Sequence, residues 1–255
     1  MKLYYRELGE GTPLIILHGL FGSSDNWLSV GKVLAEAYKV YMLDQRNHGQ
    51  SPHSEEHSYE AMAEDLKEFI ETHGIEKPIV LGHSMGGKTA MTFAVKYPDL
   101  LDKLIVVDIA PRGYPVHHDV ILEGLFSINL NALESRQEAD QQLARFVPDL
   151  GTRQFLLKNL TRNSEGQFEW RINLKVINDT IQIIGKGMDK GLSKALPTLF
   201  IRGLKSHYIK DEDFDLIYQL FPGAQIESVA NAGHWVHAEK PQEIIDIVRG
   251  FLGKS

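Results

Sequence analysis

Residues 79–90, IVLGHSMGGKTA, constrain the fold more than any other stretch of the chain. Ile79–Leu81 is a short apolar run of the kind that makes a buried strand, and Thr89–Tyr97 carries a helical pattern stopped by Pro98. Between them Gly82, Ser84 and Gly86 stand at the spacing G-x-S-x-G. A serine on so tight a strand-to-helix turn is held in a strained backbone conformation. Side chains two residues before or after it would crowd the turn, and glycine at both places removes the clash. The turn lifts the Ser84 hydroxyl above the sheet, at the positive end of the following helix. The bland alternative is a glycine-rich loop that only packs.

Other apolar runs repeat the strand pattern. Leu14–Leu17, Val40–Leu43, Leu104–Val107 and Thr198–Ile201 read as buried strands, with a shorter one near Ile226–Val229. Tyr59–His73 places Met62, Leu66, Phe69 and Ile70 at helical spacing behind Ser58 as N-cap, and Gln242–Leu252 is a closing amphipathic helix. Strands alternating with helices predict a mostly parallel α/β sheet with helices on both faces. Residues 112–192 are polar, helix-rich and without a strong buried strand. They read as a helical lid inserted after strand six, over the carboxyl edge where open α/β sheets bind ligands. The predicted core is then residues 1–111 and 193–255.

Length and composition narrow the function. The chain has 255 residues, net charge −7 and no cysteine. The negative charge and the lack of a basic block argue against nucleic acid as a partner. Without cysteine there is no thiolate nucleophile, disulfide or Cys-bound zinc. No run approaches the ~18 apolar residues of a membrane span. Arg6 and Glu7 stand where a signal peptide needs an apolar core, so the expected compartment is the cytoplasm.

A serine nucleophile needs a general base. NAGHWVHAEKP, residues 231–241, offers His234 on a late loop, with Trp235 and Val236 packed beneath it and His237 pointing elsewhere. An oxyanion needs two N–H donors. One is the amide of Met85. The other comes from LIILHGLFGS, residues 14–23, where the amide of Leu20 is the first choice and that of Phe21 the alternative. Phe21 and Trp235 are the candidate pocket residues. The third group, which orients the base, is read as Asp108 in LIVVDIAP, because a carboxylate after four apolar residues is costly unless partnered. A strand-end Asp bonded only to loop amides is the competing reading. Asp211, Asp213 and Asp215 read as the exposed start of a helix.

Together, His18-Gly19, LDQRNHGQS (43–51), the elbow and the His234 loop resemble the α/β-hydrolase fold along nearly the whole chain. More narrowly, RNHGQS, GHSMGGK, VVDIAPRGY, FEWRINL and NAGHWVHAEKP are similar to the small bacterial esterases of the YbfF type and their mitochondrial animal relatives. Such hydrolases usually place an aspartate a few residues after the strand that here is Thr198–Ile201, where this chain has Ser206 and His207. The resemblance implies that the acid is Asp108, one strand over, and that Ser206 joins its hydrogen-bond network. It also implies no cofactor and no metal, and a small-molecule acyl ester or acyl-CoA thioester as substrate. Oligomeric state is left open.

Several motifs are set aside. His53-Ser54-Glu55-Glu56-His57 matches a zinc-protease pattern, but Pro52 and the polar surroundings argue against the helix it needs. His117 and His118 are adjacent and cannot share a helix face. Gly9-Glu10-Gly11 reads as a hairpin turn, and Asp44, Arg46 and Asn47 as the ties of a turn. Phe126, Phe146, Phe155 and Trp170 are expected to pack the lid rather than line an acyl tunnel. The sequence thus points to a serine esterase or thioesterase, with a C–C hydrolase or lyase on the same fold, or a non-catalytic binder, as rivals.

Overall fold

The computed structural model describes residues 1–115 and 119–253, so His117 and His118 lie outside the described residues. The chain runs β1 (Tyr5–Leu8), β2 (Thr12–Leu17), α1 (Leu28–Leu34), β3 (Tyr38–Leu43), α2 (Tyr59–Thr72), β4 (Ile79–His83), α3 (Met85–Lys96) and β5 (Lys103–Val107). Then come α4 (Asp119–Ser127), α5 (Arg136–Leu143), α6 (Leu150–Leu157), β6 (Leu160–Arg162), β7 (Phe168–Trp170) and α7 (Leu174–Ile184). It closes with β8 (Thr198–Gly203), α8 (Phe214–Leu220), β9 (Gln225–Val229), α9 (Val236–Glu239) and α10 (Pro241–Leu252).

Seven strands form one sheet in the order β1-β3-β2-β4-β5-β8-β9, parallel except for β1. The near-continuous apolar runs are explained by burial on both faces. Along β2, Ile15 and Leu17 join the core under α2 and α3, while Leu14 and Ile16 join the core under α1 and α10. The strand before the insertion, β5, is the fifth in chain order. Gly9-Glu10-Gly11 is not a hairpin turn: β1 pairs antiparallel with β3, which lies between β1 and β2. A short connection suggested a hairpin, and only the register reveals the crossing.

Residues between β5 and β8 hold α4–α7 and the two-stranded β6–β7 sheet, around an apolar core that includes Leu125, Leu143, Leu160 and Ile177 and takes in Phe21 from the loop after β2. The strand pair was missed because each strand has only three residues. Lys88 on α3, only 1% exposed, anchors both ends of this insertion. Its ammonium donates to the carbonyls of Pro111 (3.1 Å), Arg112 (2.6 Å) and Lys186 (3.0 Å). Burial, with Arg112 adding to it, lowers its pKa to about 7. Asn159 Nδ2 donates to the Phe21 carbonyl at 2.7 Å, and the Asn173 amide to the Asn47 carbonyl at 2.9 Å. The insertion is therefore fixed to the core at several separate places.

The turn after β3 is held as the sequence suggests. Asp44 accepts from the amides of Ser24 (2.6 Å) and Gln50 (2.8 Å), and Asn47 Oδ1 from the amide of Ser54 (2.8 Å). Arg46 forms a two-pronged pair with buried Asp65 at 2.6 and 2.9 Å. Residues 53–57 are a loop rather than a helix. His53 bonds the Arg171 carbonyl at 3.0 Å, while His57 is buried against His48.

Two stability predictions follow from these buried polar groups. Arg46→Ala removes the guanidinium from buried Asp65, which keeps the Met1 ammonium at 2.8 Å, and is expected to cost about 1.5–3 kcal/mol in urea unfolding; a loss below about 1 kcal/mol would show that the ammonium alone satisfies Asp65. Burial lowers the pKa of His18 to about 4 and those of His48, His57 and His237 to about 3. Below pH 6.5 the unfolded chain takes up these protons and the folded chain does not. Stability therefore falls as pH drops from about 6.5 towards 4, by up to about 1.4 kcal/mol per pH unit for each histidine. Unfolding free energies equal at pH 7 and pH 5 would refute this.

Candidate active site

Ser84 follows β4 with φ 52° and ψ −117°, a region a serine enters only under constraint. A Cβ on Gly82 would lie 2.1 Å from the Gly86 carbonyl oxygen, and one on Gly86 2.4 Å from that of Leu17. No larger residue fits at either place. α3 begins at Met85, one residue after Ser84, not at Thr89. Two glycines in its first turn hid that turn from pattern reading.

Register brings the other groups alongside. His83 pairs with Val107, and Val107 with Ile201. The next residues continue the ladder: the Ser84 amide donates to the Val107 carbonyl at 3.0 Å, and the Asp108 amide to the Ile201 carbonyl at 2.8 Å. Ser84 and Asp108 thus leave adjacent strands at the same level of the carboxyl edge. His234 reaches over them from the loop between β9 and α9.

His234 Nδ1 lies 2.8 Å from Asp108 Oδ2, and His234 Nε2 lies 3.0 Å from Ser84 Oγ. An ionised carboxylate only accepts, so Nδ1 carries the proton and Nε2 is free to accept from the serine. The Asp108 side chain is 0% exposed and that of His234 24%. Asp108 also accepts from the Gly203 amide at 3.0 Å and from the Ser206 hydroxyl. The structure therefore brings Ser84, His234, Asp108 and Ser206 into one hydrogen-bonded chain. Asp213 does not join it and is not exposed: it is buried, paired with Arg112 at 2.7 Å. Asp211 pairs with Arg202 at 2.5 Å.

Neutral imidazoles surround this chain. His18 donates from Nδ1 to the Gly19 carbonyl at 2.8 Å and accepts the Gln45 amide at Nε2, 2.9 Å away. That bond turns the Gly19 carbonyl aside at the start of the loop carrying Leu20. His48 donates to the Arg46 carbonyl at 2.9 Å and accepts the Phe21 amide at 3.2 Å. The Phe21 amide, the alternative donor, is thus already engaged. His83 donates to the His234 carbonyl at 2.8 Å, and burial holds its pKa well below the usual histidine value. His237 turns away from the site and stacks on Trp27, with ring centres 4.3 Å apart.

A cavity of about 590 Å³ opens above Ser84. Leu20, Met85 and Phe21 line it from the core, and Ile121, Phe155 and Leu156 from the insertion. Trp235 also lines it. It does not pack beneath the imidazole but stands against Phe155, ring centres 5.3 Å apart, while Val236 alone is buried in the core. Phe146 and Trp170 pack in the insertion, and Phe126 is 51% exposed. Sequence reasoning missed Tyr208, whose ring stacks on His234 with centres 3.9 Å apart and planes 22° apart. Its position two residues after Ser206 was the only available signal.

The model of the alpha/beta hydrolase fold family matches residues 12–149. A relative from Mus musculus, described as sn-1-specific diacylglycerol lipase ABHD11, is 41% identical over 96% of this chain and 82% of its own length. Esterase YbfF of Escherichia coli (strain K12) is 36% identical over 95% of this chain and 94% of its own. A solved structure described as a marine microorganism esterase is 44% identical, with a TM-score of 0.95 over 98% of this chain and 99% of that one. With a sheet, elbow and carboxyl-edge site of this kind, and relatives this similar over most of their lengths, the chain belongs to the α/β-hydrolase family.

Proposed function

We propose that the protein is a serine hydrolase that cleaves carboxylic esters through an acyl-enzyme, with acyl thioesters as a second substrate class. The observation that carries this reading is the unbroken chain from Ser84 Oγ through His234 to Asp108, at 3.0 and 2.8 Å, on the floor of a largely apolar cavity. The similarity to proteins described as esterases and a lipase supports ester cleavage over the C–C hydrolase and lyase alternatives.

In this mechanism Ser84 attacks the acyl carbonyl as His234 Nε2 takes its proton. The amides of Met85, free as the first residue of its helix, and of Leu20 hold the oxyanion. Asp108 keeps the imidazole in the tautomer that can accept and stabilises the imidazolium. Ser206 fills the place after β8 and holds Asp108 by a hydrogen bond. His234 then protonates the departing alcohol or thiol. Water, deprotonated by the same imidazole, releases the acid. These groups suffice without a metal or cofactor. Residues 112–192 serve as a lid: they supply the apolar wall that receives the acyl chain.

Ser84→Ala is expected to lower turnover of p-nitrophenyl butyrate by about 10⁶-fold, and Asp108→Asn by about 10⁴-fold. Near-wild-type rates for Asp108→Asn, with loss in Asp211→Asn or Asp213→Asn, would move the acid elsewhere. A fluorophosphonate should label Ser84 rapidly; an unlabelled Ser84 would favour the inert binder. Graded p-nitrophenyl esters and acyl-CoA thioesters measured side by side decide between ester and thioester.

A further inference from the structure

His234 is held along its edges by Asp108 and Ser84, but hydrogen bonds along an edge leave a planar ring free to tilt. Two other rings lie against it. The His83 ring is 4.8 Å away between centres, with planes at 40°. Tyr208 covers the imidazole more closely and more nearly parallel, at 3.9 Å and 22°. Tyr208 and His234 both line the cavity, so the tyrosine ring flanks the imidazole at the edge of that space.

The backbone of Tyr208 is itself fixed. Its amide donates to Ser206 Oγ at 3.2 Å, and its carbonyl accepts from the Ala110 amide at 3.2 Å and from the Tyr114 hydroxyl. Ala110 is two residues beyond Asp108, so the strand that supplies the acid also sets the position of the ring over the base. The stack does not end there. The Tyr114 ring lies 5.2 Å from the Tyr208 ring, and the Arg112 guanidinium lies 4.0 Å over Tyr114. Arg112 is gripped in turn by Asp213, by the His207 carbonyl at 3.1 Å and, through its own carbonyl, by Lys88. A row of four planar groups runs from the first residues of the insertion to His234.

We propose that Tyr208 is a positioning residue for His234, and that Tyr114 and Arg112 support it, so that the seating of the insertion on the core sets the angle of the imidazole. The inference rests on the hydrolase reading, in which His234 moves a proton between Ser84 and the leaving group. A flat electron-rich face also suits the imidazolium formed during that transfer, since aromatic faces attract cations. The ring provides this, not the hydroxyl.

The test measures steady-state kinetics with p-nitrophenyl butyrate and the low-field proton resonance of the His234–Asp108 hydrogen bond. Tyr208→Phe keeps the ring and is expected to hold kcat within about threefold of wild type and retain the resonance. Tyr208→Leu is expected to lower kcat by about 10²-fold, the scale of a small misplacement of a reacting group, to change KM less, and to broaden the resonance. Tyr114→Leu is expected to lower kcat by about tenfold alone and by little more on top of Tyr208→Leu, because the two act through one path. A Tyr208→Leu enzyme with unchanged kcat and resonance, altered only in KM, overturns the proposal and makes Tyr208 a cavity wall. If thermal melting shows that Tyr208→Leu does not fold, Tyr114→Leu decides: unchanged kcat and resonance overturn the proposal. If wild type cleaves no ester and Ser84 takes no fluorophosphonate, the hydrolase reading fails, while the resonance in the same variants still decides whether Tyr208 positions His234.

Discussion

A carboxylate with no exposure to water has to be surrounded by donors, and the buried Asp108 organises the carboxyl edge for that reason. Its partners come from three different places in the chain: the Gly203 amide at the end of β8, the Ser206 hydroxyl beyond it, and His234 Nδ1 from the loop after β9. None of these can shift without leaving a buried charge short of a partner. The same three bonds align β8, its following turn and the late loop around Ser84. Local demand for hydrogen bonds thereby becomes the geometry of one bonded chain from Ser84 to Asp108.

The surroundings carry strain and cost. Phe21, Ser84 and Asp108 adopt positive φ, and so does Asn231 at the start of the His234 loop. Such conformations persist only where neighbouring structure over-determines them; Phe21 and Ser84 line the cavity, and Asp108 is bonded to His234 in its wall. Buried neutral histidines add a second cost, since each lowers stability as the medium becomes acidic. Both costs are offset by the well-packed cores on the two faces of the sheet and by the core of the insertion.

The cavity belongs to neither part alone. Core residues supply the floor, and α4 and α6 supply Ile121, Phe155 and Leu156 above it. Their relative placement depends on the side chains of Lys88 and Asn159 and on Asn173, whose backbone amide and side chain both bond Asn47, links that join the two parts at close range. Pattern reading marks out such an insertion by its lack of buried strands, but gives no direction for its side chains. Trp235, expected beneath the base, instead faces Phe155 across the cavity because the chain turns into α9 immediately after it.

By itself the sequence determined the elements whose chemistry is local. Apolar runs bounded by glycine or proline made the parallel strands, and the glycines at 82 and 86 made the tight turn around Ser84. A carboxylate closing an apolar strand marked Asp108 as needing a partner, and resemblance suggested Ser206 beside it. Only the tertiary structure decided which partners meet. It put β3 between β1 and β2, buried Asp213 against Arg112, gave the Phe21 amide to His48 and laid Tyr208 on His234. The physical reason is that strand pairing, side-chain burial and ring stacking join residues far apart in the chain, through distances that no spacing within one segment encodes.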